Sequence, residues 1–67
     1  MDFKDSLKYR REREGYTQAI LADKVGISQQ VLAGFERGTR LANHVIVIGL
    51  AKALECSTDE LLGLSET

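Results

Sequence analysis

This chain of 67 residues with a formal net charge of −1 suffices for one small domain, which buries only about 60% of its unfolded surface. Hydrophobic residues at 43% and charged residues at 28% are typical of a folded globular domain and exclude a disordered tail. The longest apolar run, residues 45–51, is far shorter than the roughly 18 residues of a membrane span. The single cysteine excludes an internal disulfide. No charged and apolar leader precedes the domain, so we expect a cytoplasmic protein.

The first predicted helix covers residues 3–14 and ends at Gly15. Leu7 lies on its packed face, and Arg11 stands one turn further along the same face. A packed guanidinium needs a carboxylate partner, since a buried charge without one is costly. Glu36, at the far end of the third predicted helix, is the candidate for this structural ion pair.

Two short helices follow, over residues 18–25 and 28–36. Apolar residues in each recur three or four positions apart, which places them on one face. These pairs are Leu21 with Val25 and Leu32 with Phe35. Gly26 can adopt the positive φ that ends the first helix, and Ser28 can cap the next one. Two short helices that cross at a steep angle over a three-residue turn form a helix-turn-helix.

A loop over residues 39–43 leads into a fourth helix over residues 44–54, with Asn43 as its expected N-cap. Its inner side is predicted to carry five residues: His44, Val47, Ile48, Ala51 and Leu54. Val45 and Ile46 are predicted to point at least partly outward.

A capping box formed by Ser57 and Glu60 opens a short fifth helix that Gly63 ends, and residues 64–67 are expected to be loose. The fold class predicted is therefore all-α, with a single domain over residues 1–67.

Charge is distributed unevenly along the chain. Residues 1–40 hold eight Lys and Arg against six Asp and Glu, whereas residues 41–67 hold one against four. Basic charge therefore gathers in the half that contains the helix-turn-helix, and we expect the acidic half to face away from DNA or toward a partner.

The third helix offers side chains suited to reading base pairs. If Leu32 and Phe35 face the core, the outward residues are Gln29, Gln30, Ala33, Gly34 and Arg37. A glutamine amide pairs its donor and acceptor with adenine N6 and N7 in the major groove. The small side chains of Ala33 and Gly34 allow close backbone approach. Alternatively, the two glutamines are helix formers on a solvated surface.

Phosphate contacts are expected from a separate set of residues. Gln18 begins the second helix, where free amides and the helix dipole favour an anion. Thr17 either assists there or only caps the helix. The full predicted set is Thr17, Gln18, Ser28, Arg37, Arg40 and Asn43.

Several motifs together resemble the Xre/Cro-type helix-turn-helix family, to which lambdoid phage repressors belong. The residues that carry the resemblance are Leu7, Arg11, Gly15, Thr17, Gln18, Leu21, Ala22, Gly26, Ser28, Glu36, Arg37, Gly38, Leu50, Ala51, Leu54, Ser57, Asp59, Leu61 and Leu62. The resemblance implies a compact five-helix, lambda-repressor-like domain, a dimer, regulation of transcription and a buried Arg11–Glu36 ion pair. Ala33 and Gly34 depart from it, because the family often has polar or basic residues there.

The preferred interpretation is a sequence-specific regulator of transcription, of the repressor type, that binds double-stranded DNA. It is expected to be a homodimer, with Val45, Ile46 and Leu64 in the interface between the two copies. Alternatively, these apolar residues pack within the monomer. The second functional hypothesis is a protein-interaction module of weak DNA affinity, which the acidic balance and the outward Ile20 favour.

Nothing in the sequence indicates an enzyme, a cofactor, a metal site, a small-molecule ligand or a membrane partner. His44 has no second histidine or neighbouring cysteine at ligand spacing. Cys56 is interpreted as a small buried apolar residue.

Overall fold

The computed structural model of this protein describes residues 1–64, and there the chain forms five α-helices and no strand. The helices are α1 (Phe3–Arg13), α2 (Gln18–Val25), α3 (Gln29–Arg37), α4 (His44–Ala53) and α5 (Thr58–Leu62). The all-α prediction is confirmed, and the predicted bounds of α1 to α4 differ from these by at most one residue. The expectation for residues 65–67 lies outside the described part of the chain.

Short polar side chains begin all five helices, because each accepts a hydrogen bond from an otherwise unpaired amide of the first turn. Ser28 Oγ accepts from the Val31 amide at 3.1 Å, and the Ser57–Glu60 capping box is complete. The N-caps are Asp2, Thr17, Ser28, Asn43 and Ser57.

The helices also end alike, in a turn of the Schellman type. In α3, Gly38 takes a left-handed φ of 79°, and the next amide, that of Thr39, donates to the carbonyl of Gly34 at 3.0 Å. Glycine occupies the left-handed position after every helix except α4, where Glu55 has a φ of 55°. The residue in the left-handed position after each helix thus marks where that helix ends.

All five helices contribute to one core. Its fully buried large side chains are Phe35, Leu7, Leu21, Leu32, Leu50 and Leu61. Burying one such side chain contributes about 1.5–3 kcal/mol. Helix α1 packs against α3 and α5, α2 packs against α3 and α4, and α4 packs against α5. Helix α3 is therefore braced from behind by α1 and α2.

The prediction for the inner side of α4 was right for Val47, Ala51 and Leu54, which are buried, and wrong for His44 and Ile48. His44 is exposed and Ile48 is 39% exposed, whereas Ile46 packs against the core. The buried face is centred on Leu50, and at roughly 100° per residue positions 44 and 48 lie about 120° and 160° from it. Ile46 precedes Leu50 by four residues and so shares its face. Val45 is 73% exposed, as predicted.

Candidate nucleic-acid interface

The amino-terminal turn of α3 presents two adjacent amides. Gln29 and Gln30 follow the Ser28 cap directly, and both are exposed. Leu32 and Phe35 are fully buried, so they anchor the helix from its opposite side. The first turn of α3 thus offers two glutamine side chains on a rigid support.

Gly34 does not belong to that exposed surface, contrary to the prediction. It is buried beneath the segment that follows α3, because the chain reverses at Gly38. Thr39 donates to the Gly34 carbonyl through both its amide, at 3.0 Å, and its hydroxyl, at 3.4 Å. A Cβ at position 34 would lie 3.1 Å from the Cβ of Arg40. The loop after α3 therefore packs on Gly34. The neighbouring residue, Ala33, is half-buried.

Most of the predicted phosphate-binding residues are of two kinds: side chains that cap a helix, and exposed arginines. Thr17 Oγ1 accepts from the Ile20 amide at 3.1 Å, and Asn43 Oδ1 accepts from the Ile46 amide at 2.9 Å. Capping uses only the acceptor of each group, so the hydroxyl hydrogens of Thr17 and Ser28 and the amide hydrogens of Asn43 can still donate. Arg37 and Arg40 are exposed.

Arg11 and Glu36 form the ion pair that the sequence predicts. Arg11 Nε donates to Glu36 Oε2 at 2.7 Å, and Arg11 Nη2 donates to Glu36 Oε1 at 3.0 Å. The side chains are 11% and 4% exposed, respectively. Arg11 Nη1 also donates to the carbonyl of Tyr16 at 2.7 Å. The hydrogen bond to Glu36 raises the pKa of Arg11 above its ordinary value.

The side chain of Gln18 has a partner that sequence reasoning missed. Its Nε2 donates to Oε1 of Glu36 at 3.2 Å, which joins the start of α2 to the end of α3. The sequence predicts a role for Gln18 only from its place at the start of α2. The partner lies 18 residues further along the chain, and no local pattern announces it.

Apolar side chains are exposed on the other side of the loop and along α4. Leu64 is 69% exposed and Leu41, which the sequence reasoning overlooked, is 95% exposed. Val45 and Ile48 are three residues apart and lie on the same side of α4, whereas Leu41 belongs to the loop before that helix. Ile46 is not part of this surface. Next to the exposed surface, at Ile48, lies a groove of about 380 Å³, lined by Ala42, His44, Val47, Ile48, Thr58 and Leu62.

Other features offer little chemistry. Cys56 is half-buried, and burial raises the pKa of its thiol. Within residues 1–64, no group of three His, Cys, Asp or Glu side chains is placed to hold a metal ion. No helix in that part of the chain has the length and apolar character needed to cross a membrane.

Comparison with protein families gives a match to the helix-turn-helix family over residues 7–61. The chain is 43% identical over 51 residues to YazB of Bacillus subtilis, an uncharacterized HTH-type transcriptional regulator, covering 76% of this chain and 74% of that protein. It is 38% identical over 63 residues to RstR of Vibrio cholerae, a cryptic phage CTXphi transcriptional repressor. That match covers 94% of this chain but only 56% of RstR, so the chain spans little more than half of this relative.

Among solved structures, the chain resembles the c2 repressor protein of phage P22 in complex with a synthetic operator. The two share a TM-score of 0.90 and 31% identity, over 97% of this chain and 98% of that one.

Proposed function

Because this chain belongs to the helix-turn-helix family, we propose that it is a sequence-specific DNA-binding regulator of transcription, of the repressor type. The observation that supports this most is the exposed pair Gln29 and Gln30 at the start of α3, a helix braced by α1 and α2. The similarity to a repressor in complex with operator DNA supports the same proposal.

Helix α3 enters the major groove of double-stranded DNA by its amino-terminal turn, where Gln29 and Gln30 meet base edges. Each amide pairs best with adenine, whose N6 donates and N7 accepts. Ala33, half-buried one turn later, contacts an apolar group such as a thymine methyl. Gly34 takes no part in reading bases, because the loop covers it.

Phosphate contacts set the position of α3 in the groove. The amino end of α2 faces one phosphate with its free amides and with Gln18. Near the end of α3, Arg37 and Arg40 bind phosphates of the DNA backbone. Thr17, Ser28 and Asn43 add donors from their capping side chains. Such contacts make binding depend steeply on salt and carry no sequence information.

We further propose that two copies bind a two-fold symmetric site, with two α3 helices about 34 Å apart in successive major grooves. The surface that supports a second copy consists of Val45, Leu41, Ile48 and Leu64, all exposed and apolar. Several large apolar side chains exposed on a small domain are typical of an interface. Sedimentation at increasing concentration tests it: Val45→Lys should abolish the dimer, whereas Ile20→Lys, an exposed apolar position on α2, should leave it intact. A monomer that binds one per site would contradict this proposal.

Selection of bound duplexes from a random pool tests the function itself. We expect enrichment of one symmetric motif, and a plot of log K against log salt with a slope of several units on that motif. No enrichment together with a flat salt dependence would contradict the proposal. It would instead favour a protein-interaction module, which the 95% exposure of Leu41 supports. We assign the protein to the cytoplasm and propose no enzymatic activity or cofactor.

A further inference from the structure

The carboxylate of Glu36 receives three hydrogen bonds although its charge needs only one partner. Arg11 donates to both of its oxygens, at 2.7 and 3.0 Å, in the fork geometry that suits a carboxylate. Gln18 then donates to Oε1 at 3.2 Å. Because Arg11 already balances the charge, the bond from Gln18 has another consequence.

That consequence is the orientation of the Gln18 amide. A carboxylate oxygen only accepts, so it holds the nitrogen of the amide, and a flipped amide would set two oxygens against each other. The amide nitrogen carries two hydrogens, and Glu36 takes one of them. The second is available to an anion at the start of α2, where the helix dipole also favours one.

We propose that Glu36 is a positioning residue for phosphate binding, acting through Gln18. Glu36 is itself fixed by Arg11, and its side chain is 4% exposed, so it is a rigid anchor. Gln18 is half-buried and begins α2, next to the free amides of the first turn. Holding its amide in place before DNA arrives removes part of the ordering cost of binding. The inference rests on the proposed DNA-binding function.

A double-mutant cycle tests this coupling. Gln18→Met keeps the length of the side chain and removes its donors, and it should weaken binding about tenfold, the value of one charge-assisted hydrogen bond. The effect should be equal on the selected site and on random DNA. Arg11→Met with Glu36→Leu removes the anchor without stranding a charge. In that background Gln18→Met should change the affinity by less than about twofold, because the effects of coupled residues do not add.

The outcomes separate the two claims. If the unaltered protein binds no DNA in low salt, the proposed function and this inference both fail. If it binds, but Gln18→Met costs the same factor in both backgrounds or nothing in either, only the inference fails.

Should the double variant not fold, side-chain amide NMR of the unaltered protein tests the anchor directly. Before DNA is added, one Nε2 proton of Gln18 should exchange slowly with solvent and resonate downfield. The control is Gln29, which is exposed and should show the shifts of a free amide. When a duplex is added, the other Nε2 proton of Gln18 should shift. Free-amide shifts for Gln18, or no response to DNA, would overturn the inference.

Discussion

Gly34 lies directly beneath Arg40, so close that a Cβ at position 34 would stand 3.1 Å from the Cβ of Arg40. Helix α3 thereby positions the segment that carries one of the two arginines proposed to bind phosphate. Because Gly34 has no side chain, the loop that carries Arg40 can pack directly on the helix.

Gly34→Ala should therefore displace the loop. Alanine gains about 0.5–1 kcal/mol of helix stability over glycine, but overpacking costs about 1–3 kcal/mol, so we expect a net loss of about 1 kcal/mol in denaturant unfolding. Affinity for specific and random DNA should fall together. Arg40→Gly, which removes the opposing Cβ, should restore stability to Gly34→Ala. A more stable Gly34→Ala variant would contradict the close packing.

Much of this molecule could be predicted from sequence because its signals are local. The helix bounds follow from capping side chains and from left-handed glycines such as Gly26, which act on their neighbours. The predictions that failed concern contacts between residues that are far apart in the sequence or separated by a turn. The loop that covers Gly34 and the carboxylate that holds Gln18 become neighbours only after folding. The exposure of His44 and Ile48 on α4 was also missed, because a helix that is apolar nearly all round does not show the limits of its buried face.

The Arg11–Glu36 pair should matter for stability through the cost of breaking it. Glu36→Ala leaves the guanidinium beside the core without its carboxylate, and we expect a loss of about 3–5 kcal/mol. Arg11→Met with Glu36→Leu should recover much of that loss. Urea unfolding of the three proteins measures both effects. A loss below about 1 kcal/mol for Glu36→Ala would mean that the pair behaves like an exposed one.

The capping box should give part of the acid sensitivity. The backbone hydrogen bond from Ser57 lowers the pKa of Glu60 below its ordinary value of 4.5. A carboxyl whose pKa is lower in the folded protein stabilises it above its ordinary pKa, and this contribution is lost as the pH falls through the lower value. Glu60→Gln keeps an acceptor but does not titrate. The stability difference between the two proteins should therefore shrink below pH 4.5, as thermal unfolding at several pH values can show.

The turn after α4 offers a stabilising substitution. Glu55 has a φ of 55°, in a region where a Cβ costs about 1–2 kcal/mol. Glu55→Gly relieves that strain, and after the entropy lost by glycine we expect a gain of about 0.5–1 kcal/mol. Glu55→Ala removes the same charge but keeps the Cβ, so it is the matched control and should gain nothing. Equal melting temperatures for the two variants would contradict this account.

Base reading and phosphate binding should separate in mutants of α3 and the loop after it. Gln29→Ala and Gln30→Ala should each cost about 1–3 kcal/mol on the selected site and little on random DNA, because a lost bidentate pair matters only where the matching base is present. Arg40→Ala should weaken both complexes by a similar factor and reduce the salt slope by about one unit. Anisotropy titrations with the two duplexes over a salt series provide all three values. If the glutamine variants weaken random-sequence binding as much as specific binding, these amides bind the backbone and specificity arises elsewhere.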